Sequence, residues 1–162
     1  MIRLNLPVCL CLVLLTSSLA YAGNTAQQTV TFEVQAIDEI SVSGNPAALI
    51  VSTATAGSEP DAVTNNATTY AVTTNGTNKK ITGDLDVAMP ANTTLQVNLT
   101  APTGGSSAGA VTLSASAADL VTGITQKAES GLTITYTLSA TVSAGIVASD
   151  SRTVTLTLTA GA

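Results

Sequence analysis

The sequence predicts an all-β protein, specifically an antiparallel, immunoglobulin-like β-sandwich of eight or nine strands. Apolar and polar side chains alternate with a period of two in most segments, which is typical of strands with one buried face. The chain is rich in Thr and Val, whose β-branched side chains favour pleated surfaces. Turn residues separate the alternating segments at intervals of about 10–15 residues, which favours hairpins over βαβ units.

The first and last predicted strands show the clearest alternation. Residues 29–36 would place on one face Val30, Phe32, Val34 and Ala36, and this strand would continue after a bend through Ile40 and Val42. Residues 153–159 would place on one face Val154, Leu156 and Leu158. The other predicted strands are residues 47–53, 68–74, 79–86, 94–101, 110–114, 120–124 and 131–140. A single helical turn is expected at residues 115–119.

Residues 1–22 have the pattern of a cleaved secretory signal peptide. Arg3 precedes an apolar run at residues 4–15, and Ala20-Tyr21-Ala22 supplies small residues for cleavage before Gly23. The alternative is an N-terminal anchor that stays attached, but a stable span needs about 20 apolar residues. We therefore expect a single exported domain at residues 23–162, at the cell surface or in the periplasm, with no membrane span after cleavage.

The composition after Ala22 excludes several kinds of chemistry. Both cysteines, Cys9 and Cys11, lie in the signal region, and the chain has no His. Thiol catalysis, disulfides, His-based proton transfer and the usual zinc sites are therefore excluded for residues 23–162. Four basic and ten acidic residues remain, a net charge of about −6, so no basic cluster is present for nucleic acid. We expect neither an enzyme nor a cofactor-binding protein.

Two pairs of carboxylates are the remaining candidates for chemistry. Asp84 and Asp86 would point outward from one strand and could bind calcium, but their spacing matches no full calcium-loop motif, so a solvated strand face that deters edge pairing is the favoured explanation. Glu59 and Asp61 lie in the longest loop, where a glycosidase would need two carboxylates placed across a sugar. The domain has few aromatic residues to form the wall of a sugar cleft, so we expect no catalytic site and no metal site.

The layout of the chain resembles that of secreted bacterial fimbrial subunits, in particular cysteine-free pilins of the chaperone–usher type. The resemblance consists of an alternating strand directly after the signal peptide (residues 28–36), the middle section at residues 70–82, and a Thr-rich closing strand. Many such pilins carry a disulfide and a C-terminal aromatic residue, and this chain has neither. The resemblance implies a sandwich that assembles by donating a terminal strand to a neighbouring subunit.

On this interpretation the assembly strands are the two terminal ones. Their inward side chains would be Val30, Phe32, Val34, Val154, Leu156 and Leu158. The expected partners are other copies of the chain or related subunits, with a periplasmic chaperone as a further candidate. Two alternatives stay open: both terminal strands could pair within one monomer, and the protein could be a secreted monomeric binding module for polysaccharide or another cell-surface ligand.

Overall fold

The computed structural model describes residues 23–162. The predicted signal peptide and its two cysteines lie outside the described residues. The described chain has two parts, a short segment at residues 23–33 and a larger unit, Val34–Ala162. Residues 23–33 contain neither helix nor strand, and their side chains are exposed. The larger unit contains all the strands described below, and we call it the β-domain.

The β-domain contains nine strands and, as its only helical residues, a short 3₁₀ turn, Val142–Ala144. The strands are β1 (Asp38–Val42), β2 (Val63–Thr74), β3 (Lys79–Leu85), β4 (Thr93–Leu99), β5 (Ser106–Ser107), β6 (Val111–Thr112), β7 (Ala118–Ile124), β8 (Lys127–Ala140) and β9 (Val154–Ala160).

These strands form two antiparallel sheets. The five-stranded sheet has the order β1-β2-β8-β4-β6, and the four-stranded sheet has the order β5-β7-β3-β9. All the pairings between neighbouring strands are antiparallel. The prediction of an all-β, antiparallel fold is therefore confirmed.

The hydrophobic core lies between the two sheets. Alternate residues of β2, β4 and β8 face alternate residues of β3 and β7, so that each sheet buries one face. The core is extended at one edge by the half-buried side chains of β9. Tyr70 is fully buried within it, and its Oη donates a hydrogen bond to the Thr100 carbonyl oxygen at 2.6 Å.

Three local predictions are wrong. Residues 29–36 form no strand, because no described strand edge pairs with them. Residues 47–53 also form none, since Gly44 at φ 146° and Pro46, which lacks an N–H, end the pairing of this part of the chain with β2. Residues 115–119 do not form a helical turn, because a bend there leads directly into β7.

Candidate assembly groove

The two sheets leave their longest free edges on the same side of the β-domain. β1 is the last strand of the five-stranded sheet, and β9 is the last strand of the four-stranded sheet. The two strands are neighbours across the sandwich. On the opposite side the edges are β5 and β6, which are only two residues long each. Unpaired backbone groups therefore concentrate along β1 and β9, and an exposed edge of this kind readily accepts another strand.

A groove of about 810 Å³ opens between these two edges. One wall is β1 with residues 44–49, and the other is the first half of β9. Its floor consists of apolar side chains from the five-stranded sheet, namely Leu95, Ile134, Tyr136 and Leu138. The groove is therefore an apolar slot along the core, with a strand edge on either side.

Thr68 is a polar residue in this otherwise apolar groove. Its side chain is only 5% exposed and lines the groove. Among the described residues no group forms a hydrogen bond with its Oγ1 atom. A buried hydroxyl without a partner is unfavourable, so Thr68 lowers the stability of the fold at this position.

The groove continues into a second cavity of about 670 Å³. Residues 48–54 and the loop after β8 line it, and both cavities share Met89 and Arg152. Arg152 is held in place by a 2.6 Å ion pair with Asp150 and a 3.1 Å hydrogen bond from its Nε to the Ala88 carbonyl oxygen. We call this part of the domain, where the long loops at residues 43–62, 86–92 and 141–153 lie, the loop end.

β9 forms a complete ladder with β3 and contributes to the core with its predicted inward face. Val154, Leu156 and Leu158 are half-buried and pack against the core. β3 pairs with β9 over its whole length, from Lys79 opposite Ala160 to Leu85 opposite Val154. One edge of β9 is therefore paired with β3 of the same chain, and its other edge borders the groove.

The N-terminal apolar residues have a different placement. Val30, Phe32 and Val34 are 73%, 88% and 80% exposed, respectively. Phe32 is the only Phe in the chain. Their alternation suits a strand with one buried face, yet no described residue pairs with this segment or buries it.

Asn75 holds the chain where the N-terminal segment meets β1. The Asn75 backbone N–H donates to the Ile37 carbonyl oxygen at 3.2 Å. Its side-chain Oδ1 accepts from the Ile37 N–H at 2.9 Å, and its Nδ2 donates to the Gln35 carbonyl oxygen at 2.7 Å. We call this end of the domain, where Gln35, Asn75 and Ala160 lie, the exit end. It is opposite the loop end.

In the first pair of carboxylate candidates, Asp86 has a structural role. Asp86 Oδ1 accepts hydrogen bonds from the backbone N–H groups of Thr153 and Val87, both at 2.9 Å. Both hydrogen bonds hold the pKa of Asp86 below its usual range, and the bond from Thr153 has the larger effect. Asp84 is half-buried in β3. Residues 23–162 contain no group of three or more Asp, Glu, His or Cys side chains placed to hold a metal ion.

The two residues of the second pair make different contacts. Glu59 Oε2 accepts a 2.6 Å hydrogen bond from the Val142 backbone N–H and so attaches one long loop to another. Asp61 is held through its backbone, whose N–H donates a 2.9 Å hydrogen bond to the Thr53 carbonyl oxygen.

Sequence reasoning identified the N-terminal apolar residues but missed the groove, Thr68 and Asn75. The groove arises from which strands lie at the sheet edges, and no local pattern encodes that order. The signal for Asn75 in the sequence is its position in the turn Asn75-Gly76-Thr77-Asn78, between the predicted strands at residues 68–74 and 79–86.

Comparison of the chain with protein-family models, curated proteins and solved structures finds no match. Within residues 23–162 there is no helix of the length and apolar character needed to cross a membrane. The functional argument therefore rests on the geometry of the groove and on the exposed N-terminal residues.

Proposed function

We propose that the protein is a structural subunit of a fimbria-like or surface fibre, and that it assembles by strand donation. In this proposal residues 28–36 of one copy occupy the groove of a second copy. The immunoglobulin-like character, export to the cell surface or periplasm, and transient protection of the groove by a periplasmic chaperone belong to the same proposal. The observation that carries it is the coexistence in one chain of an apolar groove between free edges and an unpaired alternating segment.

The chemistry of the segment fits the groove. The free edge of β9 borders the groove and can supply main-chain hydrogen bonds to an added strand. The apolar floor of the groove can receive the alternate side chains Val30, Phe32 and Val34. Burial of three such side chains contributes about 5–8 kcal/mol before the cost of ordering the segment, so a stable junction between copies is physically reasonable.

The positions of the groove and of the segment favour an open fibre over a closed dimer. The N-terminal segment joins the β-domain at the exit end, where Asn75 holds Gln35. The groove opens toward the loop end, where Met89 and Arg152 line it. If the exit end of one copy meets the loop end of the next, the donated strand enters directly and runs antiparallel to β9. Such head-to-tail contacts repeat without closing.

The test is the oligomeric state of two matched variants over a concentration series. Phe32→Asp places a charge on the apolar face of the segment, whereas Thr31→Asp places the same charge on the opposite face. We expect wild type and Thr31→Asp to form concentration-dependent oligomers in sedimentation velocity, and Phe32→Asp to remain a folded monomer by circular dichroism.

Two results would refute the proposal: a wild-type chain that stays monomeric at high concentration, or a Phe32→Asp chain that assembles as well as wild type. A monomeric wild type would favour the second function raised by the sequence, a binding module for polysaccharide or another cell-surface ligand. That function predicts a mobility shift of the monomer on a glycan matrix.

A further inference from the structure

We infer that the Asn75 carboxamide prevents the N-terminal segment from folding back into the groove of its own chain, and so directs it to a second copy. This inference rests on the proposed function. Any subunit that carries both a donor segment and an acceptor groove can in principle bind its own segment in its own groove. A residue that opposes this closure determines whether the subunit stays available for assembly.

The hydrogen bonds of Asn75 continue the β1–β2 ladder by one further step. At the exit end the β1–β2 ladder ends with Asp38, the first residue of β1, which pairs with Thr74. Beyond this pair the Asn75 backbone N–H still donates to the Ile37 carbonyl oxygen at 3.2 Å, but β2 then turns at Gly76 and offers no carbonyl to the Ile37 N–H. The Asn75 side chain takes the place of the missing peptide group, because a carboxamide has one carbonyl acceptor and one N–H₂ donor.

This arrangement fixes the direction of the chain at residues 35–37. The Ile37 N–H and the Gln35 carbonyl oxygen both bond to the side chain of Asn75, at 2.9 Å and 2.7 Å. Residues 35–37 are thereby held in line with β1, whose own direction leads from the exit end toward the loop end. Residues 35–37 thus extend the line of β1 beyond Asp38 at the exit end.

Self-occupation of the groove requires the opposite geometry at the same residues. Residues 28–34 would have to run beside β1 in the reverse direction, which demands a tight turn at residues 35–37. Such a turn breaks both side-chain hydrogen bonds of Asn75. With these bonds present the open state is favoured, and their loss should shift the population toward the self-occupied state by about tenfold.

Binding of a labelled peptide separates this effect from others. The probe is a fluorescein-labelled peptide of residues 28–36, titrated with full-length exported chain at concentrations low enough to keep it monomeric. The variants are Asn75→Ala, the control Asn98→Ala, and each of these combined with Phe32→Asp. Asn98→Ala also removes one side-chain hydrogen bond, to Ser107, but Asn98 lies on β4, a strand that does not pair with β1. Phe32→Asp disables the chain's own segment and leaves the groove intact.

We expect Asn75→Ala to bind the peptide about two- to fivefold more weakly than wild type or Asn98→Ala, because its own segment competes for the groove. In the Phe32→Asp background the Asn75 substitution should have no effect. Equal affinities for Asn75→Ala, Asn98→Ala and wild type would overturn the inference and leave strand donation intact.

The remaining outcomes are also decisive. Equal weakening by Asn75→Ala with and without Phe32→Asp would mean that Asn75 shapes the groove itself, and this would overturn the inference. Absence of peptide binding by the Phe32→Asp chain would overturn strand donation and the inference together.

Discussion

Lys79 Nζ lies 2.6 Å from Asp38 Oδ2, and this ion pair joins β1 of the five-stranded sheet to β3 of the four-stranded sheet. Thr74 Oγ1 donates a further 2.6 Å hydrogen bond to the other Asp38 oxygen. The two sheets are thus connected at the exit end, beside the point where Asn75 holds the N-terminal segment. The hydrogen bond from Lys79, followed by that from Thr74, holds the pKa of Asp38 below its usual range.

The first prediction concerns acid sensitivity. Because the pKa of Asp38 is lower in the folded chain than its unfolded value of about 3.9, ionised Asp38 stabilises the fold above about pH 4. That stabilisation is lost as the pH falls through the lowered folded pKa. Urea unfolding of Asp38→Asn should therefore depend less on pH than that of wild type between about pH 5 and pH 2.

The matched control for this prediction is Glu39→Gln, which removes the same charge from the next residue without removing the Asp38–Lys79 pair. We expect it to retain the pH dependence of wild type. An Asp38→Asn chain whose unfolding midpoint falls as steeply with acid as that of wild type would show that the ion pair does not couple protonation to folding.

The second prediction concerns the groove floor. Thr68→Val should raise the free energy of unfolding by about 1 kcal/mol, because it replaces a buried hydroxyl that has no described partner with a methyl group. Thr73→Val, on the exposed face of the same strand, should change it by less than about 0.5 kcal/mol. Urea titration measures both. A destabilised Thr68→Val chain would indicate that the hydroxyl has a partner in solution, such as an ordered water molecule.

The third prediction concerns the packing of β9 against β3. A Cβ atom at Gly83 would lie 2.6 Å from Leu120 Cδ1 and 3.4 Å from Leu156 Cδ2. Leu120 is fully buried, so it cannot move aside freely. Gly83→Ala should destabilise the chain by about 1–3 kcal/mol and accelerate amide hydrogen exchange in β9. Thr82→Ala, the adjacent substitution on the other face, serves as the control, and equal exchange rates for the two variants would contradict the prediction.

The sequence predicted best the strands whose alternation reflects a neighbour in the same chain. Residues 79–86 and 153–159 were predicted as strands, and they correspond to β3 and β9, which pair with each other along their length. Residues 29–36 alternate just as clearly and are not a strand. The alternation indicates that one face of the segment is suited to burial, but it does not indicate whether the surface that buries this face belongs to the same chain or to another.

The groove was harder to predict because it depends on contacts between distant residues. Gln35 and Asn75 are 40 positions apart in the sequence. The neighbouring edges β1 and β9 lie near opposite ends of the described chain. Since strand order and edge position are set by such long-range pairing, composition and periodicity identified the donor residues but not the site proposed to receive them.

The most direct measurement for the central claim is photo-cross-linking from position 32. The photoreactive phenylalanine analogue p-benzoylphenylalanine is incorporated in place of Phe32, and this chain is mixed with a ¹⁵N-labelled chain that carries no photoreactive residue. Mass spectrometry of the cross-linked peptides then identifies both the residue reached and the chain to which it belongs. The same analogue at Thr31 is the control.

The account predicts cross-links from position 32 to groove residues of the ¹⁵N-labelled chain, in particular Ile40, Tyr136 and Leu156, and few such cross-links from position 31. Cross-links from position 32 that occur only within the same chain, or that fall outside the groove of the labelled chain, would contradict donation of the N-terminal strand.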